Sequence, residues 1–338
     1  MRIRGTFGGW GRLATLLYAI AISCSFSLAQ STGDQQIPSN PQPQDSAPAP
    51  QAQTPRTAPS TSTSPPSTPT KPQGTADAPS AIIIPAGAER HYHAGRLFEK
   101  DKNFDTAIEE YRAAIQEYTD YVEARYHLAN LLMDRQGYSE AIVQLRQVVM
   151  LRPNDANARN DLGYALKKSG DTKGAAAEYL QAIHLNPKMA VAQNNLANIL
   201  YASKQYAAAV EHYQAALQIQ PNNADARMNL ATALDVIGRT DDAIVEYQEA
   251  ARLRPNDANI HFNLAIAYRN KKDLTSAITE LKTASKLAPD WTSPRLMLVS
   301  MLKDSDPKTA LDECMVADGL SHDAKLHDQC LELQRRTQ

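Results

Sequence analysis

Cysteine is nearly absent from these 338 residues, three in all, and with two tryptophans and 6% aromatics the chain is thin in the residues that build cofactor pockets. No Cys-x-x-Cys or His-Glu-x-x-His spacing occurs, so a zinc site has no signature. His91 and His93 are two apart and point to different sides of a helix, while His322 and His327 stand near two cysteines without a ligand spacing. No Gly-rich phosphate loop and no Gly-x-Ser-x-Gly elbow is found, which removes the commonest nucleotide-dependent and hydrolytic chemistries. We therefore expect no catalytic residue, no metal and no cofactor. An excess of one charge is missing as well: 35 basic residues stand against 37 acidic ones, and past residue 80 the count is 30 against 34. A phosphate backbone needs a basic stripe, so nucleic acid is not an expected partner.

Long apolar runs are limited to one. Arg2, Arg4 and Arg12 precede a 17-residue run from Leu13 to Ala29 that ends in Ser27-Leu28-Ala29, the small-x-small arrangement a signal peptidase cuts after. Residues 1–29 are expected to be a signal peptide and the mature chain to begin at Gln30, placing the protein outside the cytoplasm, periplasmic or extracellular. The run falls short of the roughly 20 residues that span a bilayer. Two other readings stay open, an uncleaved anchor and a lipid on Cys24, since Ala21-Ile22-Ser23-Cys24 loosely resembles a lipobox. Any membrane contact would come through one of these. Residues 30–80 hold 12 of the 20 prolines among Ser, Thr, Gln, Ala and Asp. With so little apolar surface this stretch is expected to be a disordered, extended linker. Beyond it, Ile82-Ile83-Ile84 forms an isolated apolar patch expected to pack on the segment that follows.

What the chain does have is a period. Pro153, Pro187, Pro221, Pro255 and Pro289 are each 34 residues from the next, and a fixed period of that length marks stacked structural repeats. Small residues recur in three columns: Gly95, Ala129, Gly163, Ala197, Ala231, Ala265; then Ala107, Ala141, Ala175, Ala209, Ala243, Ala277; then Ala114, Val148, Ala182, Ala216, Ala250, Ala284. Large apolar columns lie between them: Leu128, Leu162, Leu196, Leu230, Leu264, and Tyr111, Leu145, Tyr179, Tyr213, Tyr247, Leu281. Small residues let two helix backbones approach closely and large ones fill the remaining volume, so each unit reads as two antiparallel helices. Gly170 and Gly238 fall where a left-handed residue can end the first helix of a pair. After the second helix, proline stops the chain and Asp155, Asn223 or Asp257 is placed to cap the next start. A continuous coiled coil is excluded, because interior prolines would break it at roughly 3 kcal/mol each.

These units resemble tetratricopeptide repeats. The clearest copies are Asp161-Leu162-Gly163 with Leu166, Ala175, Tyr179, Ala182 and Pro187, and Asn229-Leu230-Ala231 with Leu234, Ala243, Tyr247, Ala250 and Pro255. The resemblance implies an all-α, right-handed α/α superhelix over residues 81–291, with repeats at 88–121, 122–155, 156–189, 190–223, 224–257 and 258–291. The first unit departs by carrying Thr119 where proline is expected. Leu298, Leu302, Ala310, Cys314 and Ala317 suggest a degenerate seventh repeat over 292–320, started at Asp306-Pro307 and stopped at Gly319. Leu326, Cys330 and Leu333 put a capping helix in 321–338. Cys314 and Cys330 are either bridged, tying that cap down, or packed reduced as small hydrophobes.

In such a stack the first helix of every unit lines a concave face, and the residue before Leu-Gly/Ala projects there. Those residues are Asp161, Asn195, Asn229 and Asn263, with Asn130, Asn160, Asn194 and Asn198 close by and Asn259 and Asn270 near helix ends. An amide offers a donor and an acceptor at once, so it can pair with both groups of a passing peptide backbone. The pattern resembles members of the family in which asparagine ladders hold extended peptides. The match covers Asn195, Asn229 and Asn263, with Asp161 departing as an acceptor-only variant that could instead favour a basic ligand group, and with the neighbours on the same helices the expected peptide-binding set is Asn130, Asp161, Asn194, Asn195, Asn198, Asn229 and Asn263. Asparagines serving solubility alone are the plainer reading. Lys167, Lys168 and Arg269 only hint at a clamp for a terminal carboxylate. The expectation is a non-catalytic scaffold for partner proteins. The alternatives are an assembly factor working through outer or end surfaces, or a regulatory subunit of a cell-envelope enzyme. The oligomeric state is not written in the sequence.

Overall fold

The computed structural model describes residues 83–321 and 323–338. The signal-like run, the Pro-rich stretch, Cys24, Ile82 and His322 lie outside the described residues. The described residues form fifteen helices and no strand: α1 (Ala86–Lys100), α2 (Phe104–Glu117), α3 (Val122–Asp134), α4 (Tyr138–Leu151), α5 (Ala156–Lys168), α6 (Thr172–Leu185), α7 (Ala190–Ala202), α8 (Tyr206–Ile219), α9 (Ala224–Val236), α10 (Thr240–Leu253), α11 (Ala258–Asn270), α12 (Leu274–Leu287), α13 (Thr292–Leu302), α14 (Pro307–Ser321) and α15 (Ala324–Thr337). None of these helices is long and apolar enough to cross a membrane. The chain divides into two compact units between Ala124 and Arg125, in the first turn of α3.

One unit holds α1 and α2. Gly95 lies under the Tyr111 ring, where an added Cβ would come within 2.7 Å of the aromatic edge, so only glycine allows this crossing. The Tyr111 hydroxyl donates to Glu99 at 2.5 Å, and His91 Nδ1 sits 2.7 Å from Glu110. Tyr92 packs on the rings of Tyr111 and Tyr121. Of the isoleucine patch, Ile83 is 87% exposed and Ile84 is half-buried just before α1.

The other unit runs from Arg125 and repeats one motif. From α5 onward each first helix packs on its own second helix, each second helix packs on the first helix of the next pair, and successive first helices touch only lightly. This order follows from the columns. Ala107, Ala141, Ala175, Ala209, Ala243 and Ala277 are fully buried, and the large residues from Leu145 to Leu281 are at most 3% exposed. At Gly163 a Cβ would meet the Tyr179 ring at 2.8 Å. Pairs continue past the last 34-residue proline with α13 and α14, and α15 packs on α14. Cys314 and Cys330, both buried, are joined by a disulfide with Cα atoms 5.6 Å apart. Gly319 does not stop α14, which runs through it to Ser321; its conformation is ordinary helix and no neighbour lies where its Cβ would be.

The turn inside each pair shows what glycine alone could not reveal. Residues 102, 136, 170, 204, 238 and 272 all have positive φ, yet only two of them, Gly170 and Gly238, are glycine. Lys102, Gln136, Lys204 and Lys272 take the same left-handed conformation, at about 1–2 kcal/mol of local strain each. The strain is offset by hydrogen bonds that recur with the period, such as Asp171 N to Leu166 O at 2.9 Å and Gln205 N to Leu200 O at 2.8 Å. Starts are capped where the sequence supplies Asp or Asn: Asp155 accepts from Ala158 N at 3.0 Å and Asp171 from Gly174 N at 2.8 Å.

Candidate functional site

The first helices α5, α7, α9 and α11 carry Asp161, Asn195, Asn229 and Asn263 at equivalent positions, one turn before the residues that end each helix's packed face. Local sequence fixes this register, since Leu162, Leu196, Leu230 and Leu264 beside them are buried at 2–3% exposure. The ladder residues nevertheless differ in what they touch. Asn130, Asn195 and Asn263 are half-buried and make no side-chain hydrogen bond among the described residues. Asn194 is half-buried with its Oδ1 fully covered and without a partner.

Asn198 and Asn229 are occupied with each other. The Asn229 amide donates to Asn198 Oδ1 at 3.3 Å, and the Tyr213 hydroxyl donates to the same oxygen at 2.6 Å. Those two bonds fix the amide's orientation and leave Asn198 Nδ2 buried and unpartnered. Asn229 is 9% exposed and is spent on internal pairing, because α7 and α9 bring positions 31 residues apart into hydrogen-bonding range. A related arrangement occurs one repeat on, where Tyr247 Oη lies 2.8 Å from Thr232 Oγ1.

Asp161 is the charged member. Its Oδ2 accepts from the Tyr126 hydroxyl on α3, and its Oδ1 accepts from Asn160 Nδ2 at 3.2 Å. Burial pushes its pKa above the ordinary 3.8, against the lowering effect of those two donors and with a smaller push in the same direction from Asp155. Asn160 Oδ1, whose place is set by the bond its own Nδ2 makes, is buried and unpartnered.

A second recurring set was not read from the sequence. Nineteen residues separate its partners: Arg125 donates to Gln144, Arg159 to Glu178 at 3.0 Å, and Arg227 to Glu246 at 2.6 Å, while Gln193 meets His212 at 2.6 Å and His261 meets Glu280 at 2.6 Å. Arg295 and Glu313, eighteen residues apart, close the series at 2.6 Å. The same side chains reach back to the turn before their helix: Arg159 Nε donates to the Pro153 carbonyl at 3.1 Å, Arg227 Nε to that of Pro221 at 3.0 Å, and His261 Nε2 lies 3.0 Å from that of Pro255. At Arg159, Arg227 and His261 the tie thus holds turn, first helix and second helix together. The signal was present as the column Arg125, Arg159, Arg227, Arg295, six residues after the periodic prolines in all but the first case. The prolines themselves are exposed, so their rings end helices while their carbonyls serve as acceptors.

Lys167 and Lys168 sit in the last turn of α5 and Arg269 in that of α11, with Lys168 Nζ 5.5 Å from the Tyr164 ring centre. Asn270 donates to Asp235 at 2.8 Å, and Asn259 Nδ2 to Asp257 at 3.3 Å, so both are used within the fold. His327 pairs with Asp318 at 2.7 Å, and among the described residues no three of His, Cys, Asp and Glu gather as metal ligands would.

Helix pairs with this period and this packing define a class, and comparison with known families gives the same answer. Tetratricopeptide-repeat models match residues 99–162, 160–224, 212–245, 237–272 and 258–290. Together they run unbroken over more than half of the 338 residues, and the chain belongs to the tetratricopeptide-repeat family. No curated protein matches it. Among solved structures it is similar to the C-terminal part of a repeat-containing protein of this family from Cytophaga hutchinsonii, at 13% identity and a TM-score of 0.61 over 70% of this chain and 98% of that one. It is also similar to PilF of Pseudomonas aeruginosa, at 19% identity and TM-score 0.52 over 62% and 95%. A third is YrrB, described as having an unusual peptide-binding site, at 20% identity and TM-score 0.51 over 55% and 96%. At these identities the likeness shows the fold alone.

Proposed function

We propose that the protein is a non-catalytic scaffold that binds extended peptide segments of partner proteins along the concave face formed by its first helices, outside the cytoplasm. The observation that carries this reading is the set of polar atoms the fold buries without satisfying. Asn160 Oδ1, Asn194 Oδ1 and Asn198 Nδ2 lie on first helices of consecutive repeats, in α5 and α7. Leaving a buried polar atom unpaired costs about 1–3 kcal/mol, so folded chains keep few of them unless something else completes the bond. A peptide backbone supplies both a donor and an acceptor at every residue and suits a row of mixed amides. A peptide-binding site is named for one structural neighbour, YrrB, which makes the same use of this fold plausible here. Export is supported by the run ending at Ala29 and by the Cys314–Cys330 disulfide, a bond that persists in oxidising compartments.

The test places a photo-crosslinking residue at Asn195 on the first-helix face or at Arg146, exposed on α4, in the full-length protein in its own cell. Partner adducts from position 195 and none from 146 are expected, and Asn130→Ala with Asn194→Ala should remove them without changing helical circular dichroism. Adducts from 146 alone would reject the groove. The mass of the purified protein tests export: a chain starting at Gln30 agrees with it, and an intact Met1 rejects cleavage.

One observation favours a second reading, an assembly factor that uses an end surface. Met315, Val316 and Leu320 share an exposed stripe of α14, each 39–48% exposed. Loss of the adducts on Val316→Asp, with the Asn130 and Asn194 changes silent, would select that reading.

A further inference from the structure

Among the described residues, Asp161 on a first helix is a buried carboxylate whose hydrogen-bond partners include no cation. Asp161 has two hydrogen-bond donors, the Tyr126 hydroxyl and the Asn160 amide, and both are neutral. Asp225 on α9 shows the contrast, because it meets the guanidinium of Arg254 from the end of α10. Asp235 on the same helix takes the Thr240 hydroxyl at 2.7 Å and the Asn270 amide at 2.8 Å at the exposed end of the repeat. Asp161 instead sits mid-helix beside fully packed Leu162, and its burial disfavours the charge it carries. A desolvated carboxylate without an ion-pair partner is unfavourable unless a cation completes it.

Its surroundings extend the same preference. An ionised carboxylate has about four acceptor positions, of which two are used here. Asn160 gives one of its two Nδ2 hydrogens to Asp161, and that bond turns its buried, unpartnered Oδ1 away from the carboxylate oxygen it serves. This position in the third repeat therefore offers the two open acceptor positions of Asp161 and the buried Asn160 oxygen. One repeat further an unpaired donor joins the unpaired acceptor Asn194 Oδ1, since both acceptor bonds of Asn198 Oδ1 are made and its Nδ2 is left without a partner.

We propose that Asp161, with Asn160, forms a subsite for a lysine or arginine side chain of the bound peptide, and that Asn198 takes a main-chain carbonyl beyond it. The inference rests on the groove-binding reading and adds the chemical class and the register of the ligand. An ammonium or guanidinium brings three to five N–H donors and a positive charge to a carboxylate whose existing donors are both neutral. A neutral side chain leaves the carboxylate uncompensated, and an acidic one adds repulsion at short range.

The test selects a randomised nonapeptide library on the full-length protein and on Asp161→Asn, which keeps side-chain size and an acceptor for Tyr126. Selection on the unchanged protein should fix Lys or Arg at one position, and Asp161→Asn should lose that preference while other selected positions persist. For a selected peptide, replacing the basic residue by Gln should weaken binding about tenfold or more on the unchanged protein and less than about twofold on Asp161→Asn. Asp161→Ser provides the same comparison should the amide variant melt early. Selected peptides with no basic position, or with one untouched by both variants, would overturn the subsite and leave the groove standing. Absence of any selected peptide, or peptides indifferent to Asn194→Ala with Asn195→Ala, would overturn both.

Discussion

The third and fourth repeats and the fifth and sixth use the same helix pair for different ends. At one first-helix position the chain carries Asn160 and Asn194, then Met228 and Phe262. The two asparagines are half-buried with acceptor oxygens left open, while Met228 and Phe262 are 4% and 7% exposed and belong to the apolar core, with Phe262 packed on Trp291 at 4.7 Å. One backbone thus holds a polar, unfinished face in its earlier part and a closed apolar one in its later part. The difference teaches that the repeat period settles packing but not the use of the face, since nothing in the helix pair itself demands asparagine there.

The largest way to break the comparison is Phe262→Ala. It should cost about 3–5 kcal/mol, read as a fall in the urea midpoint, because a closed core position cannot lose an aromatic ring cheaply. A cost below about 1 kcal/mol would show that the later face is as open as the earlier one. Next comes Tyr213→Phe, which deletes the hydroxyl that Asn198 accepts from and should cost about 0.5–1.5 kcal/mol. An unchanged melting temperature would remove the Asn198–Asn229–Tyr213 network from the description. Asn194→Leu carries the opposite sign: it replaces a buried, unpaired amide by an apolar group and should be neutral or stabilising by up to about 1 kcal/mol, while peptide capture falls. Destabilisation by as much as Phe262→Ala would mean that Asn194 belongs to the core after all.

The smallest effect is a dependence on pH. The folded-state pKa of Asp161 is raised by burial, so the folded protein binds that proton more tightly than the unfolded chain does. Its contribution to stability is fully present below the ordinary carboxyl value of 3.8 and is lost as pH rises through the raised value. The difference in melting temperature between the unchanged protein and Asp161→Asn should therefore move in favour of the unchanged protein as pH falls from 7 toward 4. A difference that stays flat, or moves the other way, would show that the carboxylate is not desolvated.

Much of the fold was legible because the small and large columns act locally. Ala175 or Leu162 is buried in whichever repeat it falls, and a proline ends a helix by its own geometry. The positive-φ turn was legible only where it is glycine, at Gly170 and Gly238, since Lys204 or Lys272 in the same conformation carries no compositional mark. The candidate site was half legible. Asn130, Asn194 and Asn195 could be located from the register of one helix, whereas the partner of Asp161 on α3 lies 35 residues away and that of Asn229 on α7 lies 31 residues away.

The sequence by itself determined the helix pairs, their 34-residue period and the residues that pack them, because each follows from spacing within a single repeat. Tertiary structure decided which amides are satisfied, which carboxylate lacks a cation, which side chains tie turn to helix pair, and that Cys314 meets Cys330. Those outcomes depend on how one repeat is seated on the next. Rotations of a few degrees there move a polar atom in or out of the roughly 3 Å reach of a hydrogen bond.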